Sequence, residues 1–241
     1  MIGPDQVRLW NPDRKGTLIV GDPRTGTHFL QRIVRDRVAD LQQVQVNHEI
    51  DLAPIKGWPR SVRDTLAAMA QRDSYQIAII NSATAKVELI SDPAALDQWH
   101  VIRLTRRDKI SWFRSWALFF LHQKSEVHTS AAASGPDDRM LHHGTPETSY
   151  RQALEQHGPV IIDSRAVDEA CGSLSLHVLA QLMAVDEEID YEDLPALQSE
   201  HTWWKGNQYP DIAMHDMFVN WQEIRAVLEN WHKIEGPGQF R

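Results

Sequence analysis

The chain of 241 residues carries one cysteine, Cys171. An internal disulfide is therefore excluded, and this cysteine usage fits a reducing cytoplasm. No continuous apolar run reaches about 18 residues, so no membrane-spanning helix is expected. Met1-Ile2-Gly3-Pro4-Asp5-Gln6 has no basic stretch leading into an apolar one and does not read as a secretory signal. Positive charge is scarce: 25 Lys and Arg against 33 Asp and Glu give a formal net charge of −8. That balance argues against general nucleic-acid binding, which needs a basic face to neutralise phosphates. Twelve histidines, His142-His143 among them, include no H-x-x-x-H or H-E-x-x-H arrangement, so no metal site is expected.

What is present suits one α/β domain. The 42% hydrophobic content is ordinary, and the length allows a substantial core. Apolar runs at 17–21, 43–47, 76–81, 100–105, 159–163 and 187–192 read as strands, and helical patterns lie between several of them. Leu30, Ile33, Val34, Val38 and Leu41 repeat at helical spacing. A second helix starts at Ser61, with Asp64 three residues on and then Leu66 and Met69. Ile110, Phe113, Ala117 and Leu121 mark a third, with Trp112 and Trp116 as core candidates; Met217, Trp221, Ile224, Leu228 and Trp231 mark a long C-terminal one. Such alternation predicts a mostly parallel sheet flanked by helices, in a single domain over residues 1–241. Residues 123–150, with Ala131-Ala132-Ala133-Ser134-Gly135-Pro136, lack a period and read as a mobile loop or lid. Cys171 shares an apolar stripe with Val167, Leu174 and Val178, the pattern of a buried structural thiol. Trp203-Trp204 falls in an irregular stretch and offers aromatic faces for an acceptor pocket, core packing being the default.

The first strand runs into Gly21-Asp22-Pro23-Arg24-Thr25-Gly26-Thr27-His28 and then a helix. A helix N-terminus presents backbone N–H donors and partial positive charge, which together bind phosphate-like anions. Gly21 and Gly26 have the G-x-x-x-x-G spacing of a nucleotide loop, but Thr27-His28 stand where the Lys-Ser/Thr pair belongs. Without that lysine nothing reaches the β- and γ-phosphates, so the loop suits a phosphate group better than Mg-ATP.

Pro23-Arg24-Thr25-Gly26-Thr27 resembles the 5′-phosphosulfate loop of sulfotransferases that use 3′-phosphoadenosine 5′-phosphosulfate (PAPS). A second element, Val101-Ile102-Arg103-Leu104-Thr105-Arg106-Arg107-Asp108-Lys109-Ile110-Ser111-Trp112-Phe113-Arg114-Ser115, is similar to that family's 3′-phosphate element. There an Arg at a strand end is followed eight residues later by a helical Ser. A third, Ile189-Asp190-Tyr191-Glu192-Asp193-Leu194, is similar to a strand end common in bacterial sulfotransferases. The resemblance implies a P-loop NTPase-like fold and sulfuryl transfer from PAPS to a hydroxyl or amine, leaving PAP and needing no metal. Pro23, Arg24, Thr25, Gly26, Thr27 and His28 would cradle the 5′-phosphosulfate. The 3′-phosphate partners would be Arg107 with Ser115, helped by Arg106, or Arg103 with Ser111, since both pairs are eight apart. Arg103 lies inside the predicted strand, which favours Arg107; Ser111 is one turn from Ser115 and contributes in either register.

Family members place a carboxylate or histidine near the end of the second strand as general base. Here Val44-Gln45-Val46-Asn47 runs into His48-Glu49, so Glu49 is the first candidate, His48 the second and His28 the third. A small-molecule or carbohydrate acceptor is expected, and sugar, lipid, small alcohol and peptide tyrosine all stay open. Two other readings compete: a divergent P-loop nucleotide kinase or phosphotransferase, and a catalytically inactive nucleotide-binding interaction module.

Overall fold

In the computed structural model, five strands form one sheet: β1 (Gly16–Val20), β2 (Val44–Asn47), β3 (Tyr75–Ile80), β4 (Trp99–Thr105) and β5 (Glu187–Asp190). Their order is β2-β3-β1-β4-β5, and every neighbouring pair is parallel. The structure describes residues 7–22, 25–39, 43–47, 50, 61–81, 83–113, 115, 183–197, 215, 218 and 220–234. Within them lie α1 (Thr27–Arg37), α2 (Val62–Ala70), α3 (Ala83–Ser91) and α4 (Trp221–Ile234). The expected strand at 159–163, the loop at 123–150, Cys171, Trp116 and Trp203-Trp204 fall outside the described residues. No helix among the described residues is long and apolar enough to cross a membrane.

Parallel strands are covered on both faces, which is why they read as nearly continuous apolar runs. Alternate residues divide between two cores. Ile19, Ile77, Ile79, Ile102, Leu104 and Ile189 meet Phe29, Leu30, Ile33 and Val34 of α1 on one face. Leu18, Val20, Ala78, Ile80 and Val101 meet Leu66 and Met69 of α2 and Ala85 and Leu89 of α3 on the other. The result is an α/β fold with a five-stranded parallel sheet flanked by helices, consistent with a P-loop-like architecture.

The sheet belongs to a compact unit of residues 1–107 and 172–204; a second unit comprises 108–171 and 205–241. In the second, residues 109–113 are helical, Trp112 and Phe113 are buried, and Phe113 packs on Phe218 with ring centroids 5.9 Å apart. Ile110, expected on the buried stripe, is instead 36% exposed. The bulky rings of Trp112 and Phe113 turn the buried face away from it. In α4, Ile224 and Leu228 are buried as their spacing predicts.

One feature of the connections positions a site. The chain leaves β1 into α1 on one face, and leaves the adjacent β3 into α3 on the other. Open α/β sheets bind ligands in the crevice at the carboxyl ends of such strands.

Candidate functional site

The loop after β1 occupies that crevice. The Gly21 N–H donates to the Ile80 carbonyl at 3.0 Å, so the loop starts while still tied to the end of β3. The Thr25 N–H and hydroxyl both donate to the Asp22 carbonyl, at 3.2 and 2.7 Å, and close a tight turn. The intervening Pro23 and Arg24 lie outside the described residues. The Thr25 hydroxyl proton is thus committed inside the loop.

Both glycines are demanded by their surroundings. Gly26, the residue that begins α1, has φ 95°, in the left-handed region. A Cβ there would also come within 2.4 Å of the Tyr191 ring. A Cβ on Gly21 would fall 2.5 Å from the Thr27 methyl. The G-x-x-x-x-G spacing therefore reflects close packing and one turn that only glycine adopts without strain. No side chain caps the N-terminus of α1, and its first turn holds no acidic residue. The Phe29 and Leu30 N–H groups both turn to the Gly26 carbonyl, at 2.9 and 3.1 Å. Thr27 is buried and His28 exposed in this first turn.

Asp22 does a second thing that the sequence pattern does not announce. Its carboxylate meets the Lys86 ammonium of α3 at 2.6 Å, with both side chains almost fully buried. Taking two charges out of water costs several kcal/mol per ion before their attraction offsets it, so such a pair is weak evidence for stability as such. Here it ties the helix after β3 to the loop after β1. No local pattern marks Lys86 in the sequence, because α3 itself has a blurred pattern. Lys86 is buried beside Ala85 and Leu89 while Val87 is 44% exposed.

The predicted second strand is present, and its end is well fixed. The Asn47 carbonyl accepts from the Gln31 side chain of α1 at 2.9 Å, and its amide donates to Gln76 of β3 at 3.1 Å. His48 and Glu49, the base candidates that follow, lie outside the described residues.

The basic element separates by register. Arg103 sits within β4, opposite Glu188 of β5, and is ion-paired to it. Arg106 and Arg107 lie beyond the strand end at Thr105, as expected. The Arg106 guanidinium carbon stands 4.3 Å from the centroid of the Tyr191 ring, a cation–π contact. Tyr191 is also the ring against Gly26, so one aromatic side chain brings the loop and Arg106 together. Arg107 is more exposed and pairs with Asp190 at 3.2 Å and Asp193 at 3.3 Å. Its N–H donates to Glu192 at 3.0 Å, and Arg106 Nε lies 3.7 Å from the same carboxyl group.

Glu192 is pushed up to about 7, by burial first and then by the hydrogen bond and charge of Asp190. Burial would raise Asp190 too, but hydrogen bonds from Glu192 and the charge of Arg107 outweigh it and hold this carboxyl below its ordinary value. The pair therefore keeps one proton into the neutral range, on Glu192.

In the second unit, Ser111 is engaged locally. Its N–H and hydroxyl donate to the two Asp108 carboxylate oxygens at 2.9 and 2.6 Å, an N-cap of the helix that follows. Ser115 is half-buried. Among the described residues, no group of three or more His, Cys, Asp or Glu side chains is disposed to hold a metal ion.

Comparison with known proteins returns no match: no family model, no curated protein and no solved structure is similar to the chain.

Proposed function

We propose that the chain transfers a sulfuryl group from PAPS to a hydroxyl or amine acceptor. The observation that carries the reading is the pairing of two anion-seeking features at one sheet end. One is an uncapped helix N-terminus after a lysine-less G-x-x-x-x-G loop; the other is Arg106, joined to that loop through Tyr191. The described part of the loop suits such a group because no side chain caps the helix it leads into and no acidic residue stands in that helix's first turn.

Bound PAPS would supply an activated sulfuryl group and a phosphate leaving group. Thr25 to His28 would face the 5′-phosphosulfate with their backbone, and Arg24 would add a full charge where negative charge grows on the leaving phosphate. Arg106 and Arg107 would hold the 3′-phosphate as guanidinium forks. As the acceptor oxygen or nitrogen bonds to sulfur, the sulfur–oxygen bond to the phosphate breaks and its electron pair stays on PAP. The acceptor proton passes to Glu49, with His48 and His28 as the other bases within the same reading. The reading leaves the acceptor open among sugar, lipid, small alcohol and peptide tyrosine. Asn81, not an acidic residue, follows β3 next to the loop strand. A Mg-dependent kinase would want a carboxylate there, which weighs against that alternative.

The test is PAP release from PAPS over a panel of acceptors, with Glu49→Ala and His48→Ala alongside. Loss of the base is expected to lower kcat by about 100-fold or more. Unchanged kcat in both variants contradicts this mechanism.

A further inference from the structure

Two guanidinium groups and three carboxyl groups crowd the carboxyl ends of β4 and β5: Arg106, Arg107, Asp190, Glu192 and Asp193. Fully ionised, this cluster is already negative by one charge. Glu192 is placed to act on both arginines. One of its carboxylate oxygens accepts from the Arg107 N–H at 3.0 Å and the other lies 3.7 Å from Arg106 Nε. Its own N–H donates to Asp190 at 3.1 Å, and the two carboxyl groups are hydrogen-bonded to each other. The two contacts to the arginines are ones that a phosphate oxygen would also make.

We infer that Glu192 sets the selectivity of this anion site: it occupies the arginines in place of a phosphate and takes up a proton when a phosphate monoester binds. The inference rests on the reading that Arg106 and Arg107 receive the 3′-phosphate. A dianion arriving at the ionised cluster would raise its net charge from −1 to −3. Protonating Glu192 removes one of those charges and turns an acceptor-only carboxylate into a hydrogen-bond donor. The same group then stops competing with the ligand and can donate to it. A dianionic phosphate monoester gains more from this exchange than a singly charged sulfate ester does, because the charge relieved is larger.

The exchange is accessible near neutrality because burial and Asp190 already hold the Glu192 proton up to about 7. The charged groups around it are Arg106 and Arg107 from the end of β4, and Asp190 and Asp193 from its own segment.

The test is calorimetric titration of the full chain with PAP at about pH 7.5, in buffers of different ionisation enthalpy. Wild-type binding should take up a substantial fraction of one proton. Glu192→Gln should abolish that uptake and bind PAP several-fold more tightly above about pH 7.5, where the wild-type carboxylate competes. If the wild type binds PAP with no proton uptake, the inference is wrong while the phosphate reading stands, and this needs no variant to fold. Weaker PAP binding by Glu192→Gln would instead make Glu192 a brace for the arginines and also overturn it. If neither protein binds PAP, the phosphate reading fails and takes this inference with it.

Discussion

Two of the helices that flank the sheet, α1 and α2, begin differently. The first four N–H groups of α2 all have acceptors. Glu88 of α3 takes those of Val62 and Arg63 at 3.2 and 3.0 Å, the Ser61 hydroxyl takes that of Asp64 at 3.0 Å, and the Ser61 carbonyl takes that of Thr65 at 3.1 Å. The start of α1 has no side-chain cap and no acidic residue. The neighbouring helix α3 serves both, sending the Glu88 carboxylate to the start of α2 and the Lys86 ammonium to Asp22 before α1. So one helix end meets a carboxylate from α3, while the other follows a glycine turn and a mutually neutralised Asp22–Lys86 pair. The proposed phosphate site rests on that difference, because an uncapped helix start favours an anion.

That contrast can be broken first at α3. Lys86→Met removes the ammonium from the buried Asp22 carboxylate, and should cost about 3–5 kcal/mol in urea unfolding. Adding Asp22→Asn should recover much of the loss. A cost under about 0.5 kcal/mol, as for an ordinary surface change, would mean that the pair does not anchor the loop.

At the start of α1, Gly26→Ala should cost roughly 1–2 kcal/mol for the left-handed backbone, and more where the new methyl meets Tyr191. PAP affinity should fall with it, because Tyr191 cannot shift without moving the loop or Arg106. At the capped helix, Ser61→Ala should cost about 1 kcal/mol and leave PAP affinity unchanged. An equal loss of affinity in both variants would erase the distinction between the two helix starts.

The smallest effect concerns pH. The folded-state value of Glu192 lies near 7 against an ordinary 4.5, so its contribution to stability is complete below 4.5 and is lost as pH rises through about 7. Asp190, held low, works the other way and loses its contribution only as pH falls below the usual carboxylate range. Urea midpoints measured at about pH 5.5 and about pH 7.5 should therefore differ less for Glu192→Gln than for the wild type.

The sheet was legible because buried parallel strands leave apolar runs. Residues 17–21, 43–47, 76–81, 100–105 and 187–192 each overlap an observed strand. The Ser61 cap was equally plain, since Ser61 and Asp64 have the spacing that the bond between them requires. α3 was not legible, because a buried lysine and an exposed valine break the amphipathic pattern. Nor was the Asp22–Lys86 pair, which joins positions 64 residues apart through a fold that no local pattern encodes. The loop glycines were read correctly as a turn, but the role of Tyr191 in filling the space opposite Gly26 depends on β5 lying beside β4. The raised Glu192 had no sequence signal, because its proton depends on Asp190 and on burial at that strand end.

In the proposed sulfotransferase, this sheet end would read a 3′-phosphate together with a 5′-phosphate group, without a metal. The most direct measurement is calorimetric binding of PAP against ADP, each with and without Mg²⁺. Much tighter PAP binding that ignores Mg²⁺ is the predicted result. Equal binding of the two, or a Mg²⁺-dependent preference for ADP, would contradict the sulfotransferase reading and favour a kinase-like one.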